Sequence, residues 1–150
     1  MTAAYPEPID LAAAGVECDC SKCVAMCRNV PCRGTPDEIQ QAIDAGYGSQ
    51  MYARKWVDLD EYYLIVGPAI FGNQRAVASY VVEGTCALLT DDEKCLLHGT
   101  GFKPLEGRMA TGCDKEGDVQ VGYLNELIES WNTPEGRAVA AEWVDRFGRP

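Results

Sequence analysis

One histidine, His98, serves all 150 residues, so any imidazole ligand or base in this chain has to be that residue. No apolar run approaches the ~18 residues that cross a bilayer, and no membrane association is expected. Basic residues are scarce: 13 lysines and arginines face 23 acidic residues, for a formal net charge of −10. Such a surface repels phosphate backbones, and no local basic patch offsets it, so nucleic acid is not an expected partner. Internal repeats, low-complexity tracts, phosphate-cradling loops, dinucleotide fingerprints and nucleophile–base pairs are all missing. Met1 to Pro8 shows neither the basic start nor the apolar stretch of a signal peptide, which makes the cytoplasm the expected compartment.

What the chain has instead is cysteine. Five of its eight cysteines, Cys18, Cys20, Cys23, Cys27 and Cys32, fall within fifteen residues, and Cys86, Cys95 and Cys113 follow far downstream. In a reducing compartment a dense thiol cluster more often holds metal than forms disulfides. Cys18 and Cys20, one residue apart, are poorly placed to bridge each other. Disulfides and unliganded core cysteines are the two competing readings. Eight thiolates around two divalent ions would make the chain about four charges more acidic still. Lys22, Arg28 and Arg33 lie among the cysteines, where cations offset thiolate charge.

The remainder reads as one α+β domain spanning 1–150, small, metal-stabilised and loop-rich. Residues 1–17 form an N-terminal arm with two prolines. Thr35-Pro36-Asp37-Glu38 is a helix start, with Thr35 at the cap, Pro36 in the first turn and Glu38 at capping-box spacing. Ile39, Ala42 and Ile43 make its apolar face, and Gly46 ends it. Between Tyr47 and Asp60 the pattern is mixed, and Met51, Tyr52 and Trp56 suggest a short helix or packed loop. Tyr62 to Val66 reads as a buried strand ending at Gly67-Pro68, with a second strand over Ala76 to Val82. Cys86 to His98 reads as a short β-hairpin whose arms each open on a cysteine, around a polar turn at Thr90 to Lys94. Two amphipathic helices close the chain within 118–148. The first carries Val121, Leu124, Leu127, Ile128 and Trp131. The second starts at Thr133-Pro134-Glu135 and carries Ala140, Trp143, Val144 and Phe147. Their short connection predicts a C-terminal antiparallel helix pair with both tryptophans in the core.

Ligand arithmetic organises the cysteines. Cys20-x2-Cys23 has knuckle spacing, and Cys27 and Cys32 are near enough to share its ion. Zinc takes four such ligands in a closed structural site. The first group has one thiol too many and the second one too few, so the simplest count is two four-thiolate sites, with one N-terminal cysteine crossing to the downstream three. A competing count uses His98, three residues after Cys95, as the fourth downstream ligand. Iron or an iron–sulfur cluster is the alternative cofactor, although the spacing matches neither the bacterial ferredoxin run nor the order found in radical enzymes.

Cys86-Ala-Leu-Leu, Lys94-Cys95-Leu-Leu-His98 and Lys103-Pro104-Leu-Glu-Gly-Arg108 together resemble the YkgJ-type cysteine-cluster family, described as zinc- or iron-chelating proteins. That family pairs an N-terminal cysteine knot with a later cysteine element and a basic-Pro-Arg motif, and the resemblance runs from about Cys18 to Cys113. Two departures stand out. The cysteines of the first cluster are spread rather than adjacent. Gly107 occupies the position where the family's motif carries a cysteine, which leaves Cys113 to act as ligand. The resemblance implies metal chelation and no particular activity.

Two functions follow as expectations. In the first, two zinc ions are mainly structural and the protein acts through a protein partner. In the second, one site is catalytic or redox-active beside His98, Lys103, Glu106 and Arg108, a metalloenzyme or iron–sulfur protein. A solvated loop is the bland reading of those four residues.

Overall fold

The computed structural model describes residues 31–58, 61–79, 83–90, 95–98, 100, 103–104 and 123–149. The element that opens it is the one whose local chemistry is most complete. Helix α1, Pro36–Ala42, is capped by Thr35, whose hydroxyl accepts from the Glu38 amide at 3.2 Å while the Glu38 carboxylate accepts from the Thr35 amide at 2.9 Å. The two bonds satisfy amides that an α-helix leaves bare at its start. Ile39, Ala42 and Ile43 are buried, as the 3–4 spacing requires. The chain then widens into a π turn, Ile43–Tyr47, and Gly46 reverses it with a φ of 101°, a conformation that costs a side chain dearly.

A three-stranded mixed sheet follows: β1 (Met51–Asp58), β2 (Glu61–Pro68) and β3 (Val77–Ala78), in the order β2-β1-β3. β1 and β2 pair antiparallel, from Met51 opposite Pro68 to Asp58 opposite Glu61, and β3 runs parallel to β1. The strand expected at Tyr62 to Val66 is β2. The helix or packed loop expected between Tyr47 and Asp60 is instead β1, because pairing with β2 supplies a ladder that the local pattern does not announce. Side chains alternate faces along it. Met51 and Ala53 are buried on one face while Tyr52, Arg54 and Trp56 are half-covered on the other, so no clean apolar–polar alternation appears. Of the strand expected over Ala76 to Val82, the sheet contains Val77–Ala78, and residues 80–82 lie outside the described part.

The segment after β2 extends the edge of the sheet. Ile70 bridges Cys86 antiparallel, with the Ala87 amide donating to the Ala69 carbonyl at 2.7 Å. The two arms of the expected hairpin meet through a bridge between Leu89 and Cys95, but each is a tight turn rather than a strand. Its polar turn at 91–94 lies outside the described residues.

The C-terminal part is helical: α2 (Tyr123–Glu129), a 3-10 turn (Ser130–Asn132) and α3 (Pro134–Phe147), capped by Thr133 accepting from the Gly136 amide. α3 packs on α1 and on β2. Trp131 and Trp143 are fully buried, as their helical positions predicted. The Trp131 Nε1 donates to the Gly34 carbonyl at 2.9 Å and the Trp143 Nε1 to the Gly48 carbonyl at 2.8 Å. The two indoles thus tie the C-terminal helices to either side of α1. Arg75, at a φ of 71°, clasps the chain end, since its Nε donates to the Phe147 carbonyl and its own carbonyl accepts from the Arg149 amide. Among the described residues, no helix is long and apolar enough to cross a membrane.

Candidate functional site

Cys32, Cys86 and Cys95, more than fifty residues apart at the extremes, line one small cavity with Pro68, Leu88, Leu97, Lys103 and Pro104. Its volume is about 20 Å³, room for one water-sized particle. Each wall is set by a short stretch of backbone chemistry. Cys32 lies three residues before the cap of α1, and its carbonyl passes 3.8 Å from the place a Cβ on Gly67 would take. Gly34 is pressed between Glu38, Ile39 and the Pro104 backbone, where an added Cβ would sit 3.3 Å from the Pro104 Cα. The 32–34 stretch is thereby held against 103–104.

Cys86 and Cys95 are presented by two similar turns. In Cys86-Ala-Leu-Leu89 the Leu89 amide donates to the Cys86 carbonyl at 3.1 Å. In Cys95-Leu-Leu-His98 the His98 amide donates to the Cys95 carbonyl at 3.1 Å. In both, the leucine two residues on is buried, Leu88 in the first and Leu97 in the second. A bond from the Leu96 amide to the Leu88 carbonyl, 2.9 Å, locks one turn against the other. The Leu88 amide also points at the Cys86 Sγ, 3.5 Å away. A backbone N–H aimed at sulfur stabilises negative charge there, by the same logic that hydrogen bonds to a charged form favour it.

Cys32 and Cys86 belong to the buried core and Cys95 packs against it. None of the three is in a disulfide among the described residues. Lys103 is only 5% exposed, an uncommon burial for lysine. Its Nζ stands 3.3 Å from the His98 Nδ1, so the ammonium links the cavity wall to the chain's only histidine. His98 itself is not among the residues lining the cavity.

Of the residues singled out as ligands, three are therefore brought together. Cys18, Cys20, Cys23, Cys27 and Cys113 lie outside the described residues, as do Glu106 and Arg108. Among the described residues no three His, Cys, Asp or Glu side chains are disposed to hold a metal ion. Sequence reasoning put Lys103 in a solvated loop as its bland reading, and burial corrects that. The only local signal was the Pro104 that follows it, which is buried beside it. Comparison with family models, with curated proteins and with solved structures returned no match.

Proposed function

We propose that this chain is a metal-binding protein that holds zinc through its clustered cysteine thiolates, two ions per chain, in a mainly structural role. The observation that carries the reading is the single cavity wall shared by Cys32, Cys86 and Cys95. Cys32 is the last thiol of the N-terminal cluster, and here it meets two of the downstream three. On this reading it is the cysteine that crosses over. The three sulfurs are not disposed around one ion as they stand, so on this reading they draw in on it with Cys113 or His98 as the fourth ligand, and Cys18, Cys20, Cys23 and Cys27 make the other site. The Leu88 amide aimed at the Cys86 sulfur favours negative charge there. With the metals go the rest of the reading: membership of the YkgJ-type family, a metal-stabilised domain, a C-terminal antiparallel helix pair, a cytoplasmic location and a protein partner for the acidic surface. A second reading, a metalloenzyme or iron–sulfur redox protein, takes its support from the contact between Lys103 and His98 beside the thiols.

Elemental analysis of protein purified without added metal, with its visible spectrum, tests both. The expected result is about two zinc ions per chain and no visible absorption, since Zn²⁺ is d¹⁰. Iron with acid-labile sulfide and visible bands would replace the first reading by the second. Less than one ion of any kind would sink both and leave the thiols as core cysteines.

A further inference from the structure

The outer edge of β2 lies beside a groove that the cysteines do not reach. The hydrogen bonds of the sheet fix which β2 groups face outward. The Ala69 amide donates to the Gln50 carbonyl at 2.9 Å, and bonded pairs alternate along an antiparallel ladder. With the β1–β2 register, that assigns Tyr63, Ile65 and Gly67 to bonds with β1. Ala53, whose amide donates to the Ala76 carbonyl, faces β3 as the alternation requires. The amides and carbonyls of Tyr62 and Leu64 therefore point away from β1. They meet no backbone partner among the described residues.

Along that edge Tyr62, Tyr63, Leu64, Arg137, Ala140 and Ala141 line an open groove of about 270 Å³. No β1 residue is among them, which sets the groove on the outer side of β2, against α3. The small side chains of Ala140 and Ala141 keep it open. On the face that Val66 and Tyr62 share, exposure rises from 0% at Val66 to 60% at Tyr62, so apolar surface runs out from the core to the groove. Sheet edges are normally blunted by charge, proline, a bulge or a cover. Tyr62 to Leu64 carries no charge and no proline, and the register passes it unbroken, with Glu61 and Pro68 only at the ends of the strand. Charge narrows the occupant further. Among the described residues Arg137 hydrogen-bonds the neutral side chain of Asn132, and Lys55 lies over the Tyr62 ring, 5.4 Å from its centroid. Two cations thus frame the groove in a chain of net charge −10. We propose that the groove docks an extended peptide segment of a partner protein, added as a strand along Tyr62 to Leu64. It sets an apolar side chain in the groove and an acidic one toward Arg137. The groove gives the protein partner of the reading above a place to bind, and it depends on no metal because it uses no sulfur.

The test displays random heptapeptides on phage against the full chain. Counter-selection uses Ala141→Glu, which fills the groove and offsets Arg137 one helical turn away. The expected result is enrichment of sequences that alternate apolar residues and carry Asp or Glu. An enriched peptide, synthesised, should slow hydrogen exchange of the Tyr62 and Leu64 amides at least about tenfold. Leu64→Pro deletes an outward N–H without touching the ladder to β1, and should weaken binding about tenfold, the worth of one hydrogen bond. Enrichment of nothing, of basic peptides or of helix-patterned ones overturns the proposal. So does a Leu64→Pro chain that is folded by circular dichroism and binds as tightly as the natural one. A dimer in sedimentation whose Tyr62 and Leu64 amides are already protected makes a second copy the occupant and overturns it as well. Should Leu64→Pro fail to fold, exchange at the two amides of the natural chain decides alone. A chain that holds zinc and enriches nothing sinks this proposal and leaves the metal reading standing.

Discussion

The two buried tryptophans and the three cavity cysteines hold distant parts of the chain together by different means. Each indole is wholly buried and ends in a made bond, Trp131 to the Gly34 carbonyl and Trp143 to the Gly48 carbonyl. Nothing further is required there, since apolar burial and the hydrogen bond both belong to the folded chain. The cysteines instead converge on a void. A cavity wall forgoes the dispersion contacts that close packing supplies elsewhere in a core. The helical side closes on itself, and on the metal-binding reading the thiol side closes on an added ion. That contrast is what variants can break.

Trp143→Ala should have the largest effect. It removes the most buried side chain of α3 and leaves the Gly48 carbonyl without its donor. A loss of about 3–5 kcal/mol is expected, a large part of the stability of an ordinary domain. Urea unfolding with and without a chelator should give the same loss in both conditions. A loss seen only in the presence of metal would mean that the helical side is not self-sufficient.

Cys86→Ala should behave in the opposite way. With metal stripped, the change removes one sulfur from a buried site and should cost about 1 kcal/mol. With zinc present it should cost more, on the order of 2–4 kcal/mol, because it removes a ligand and the binding energy of a structural ion is folding energy. Metal content should fall in the same sample. Equal costs in the two conditions would reduce Cys86 to a small apolar residue of the core.

What was legible in the sequence follows the range of the forces involved. The start of α1 was readable because Thr35 and Glu38 satisfy each other three residues apart. Both tryptophans read as core because helical spacing put them with Leu127, Ile128 and Ala140. β1 was not readable, since Tyr52, Arg54 and Trp56 occupy its second face and that face has its own cover. Strand preference there is decided by the partner strand rather than by the residue run. Counting ligands sent one unnamed N-terminal cysteine to the downstream three, and that Cys32 lies beside Cys86 and Cys95 is a long-range fact with no local trace. The burial of Lys103 depends on Gly34 and Pro104 closing against each other, a long-range event with almost no local trace.

Gly136→Ala probes the helical side without deleting anything. A Cβ at Gly136 would sit 2.5 Å from the Ser130 carbonyl oxygen and 2.6 Å from the Trp131 Cα, both backbone atoms that cannot rotate away. The first turn of α3 would have to move off the turn that carries Trp131. Overpacking of this kind costs about 1–3 kcal/mol. The fluorescence of Trp131 should report the shift, and metal content should hold. A variant as stable as the natural chain would show that α3 can slide on that turn, and that Trp131 is less firmly held than its bond to Gly34 implies.

The smallest change addresses the one element that belongs to both sides. α1 packs under α3, yet its cap lies three residues from Cys32. Thr35→Ala removes the hydroxyl that accepts from the Glu38 amide and should cost about 1 kcal/mol of global stability. If the two regions are held independently, metal stoichiometry will not change, because Gly34 still lies against Pro104 and keeps Cys32 at the cavity. If metal is lost along with the cap, then the first turn of α1 is what fixes Cys32. In that case the thiol site borrows its rigidity from the helical side, and the contrast between them runs in one direction only: the helices can do without the cavity, and the cavity cannot do without the helices.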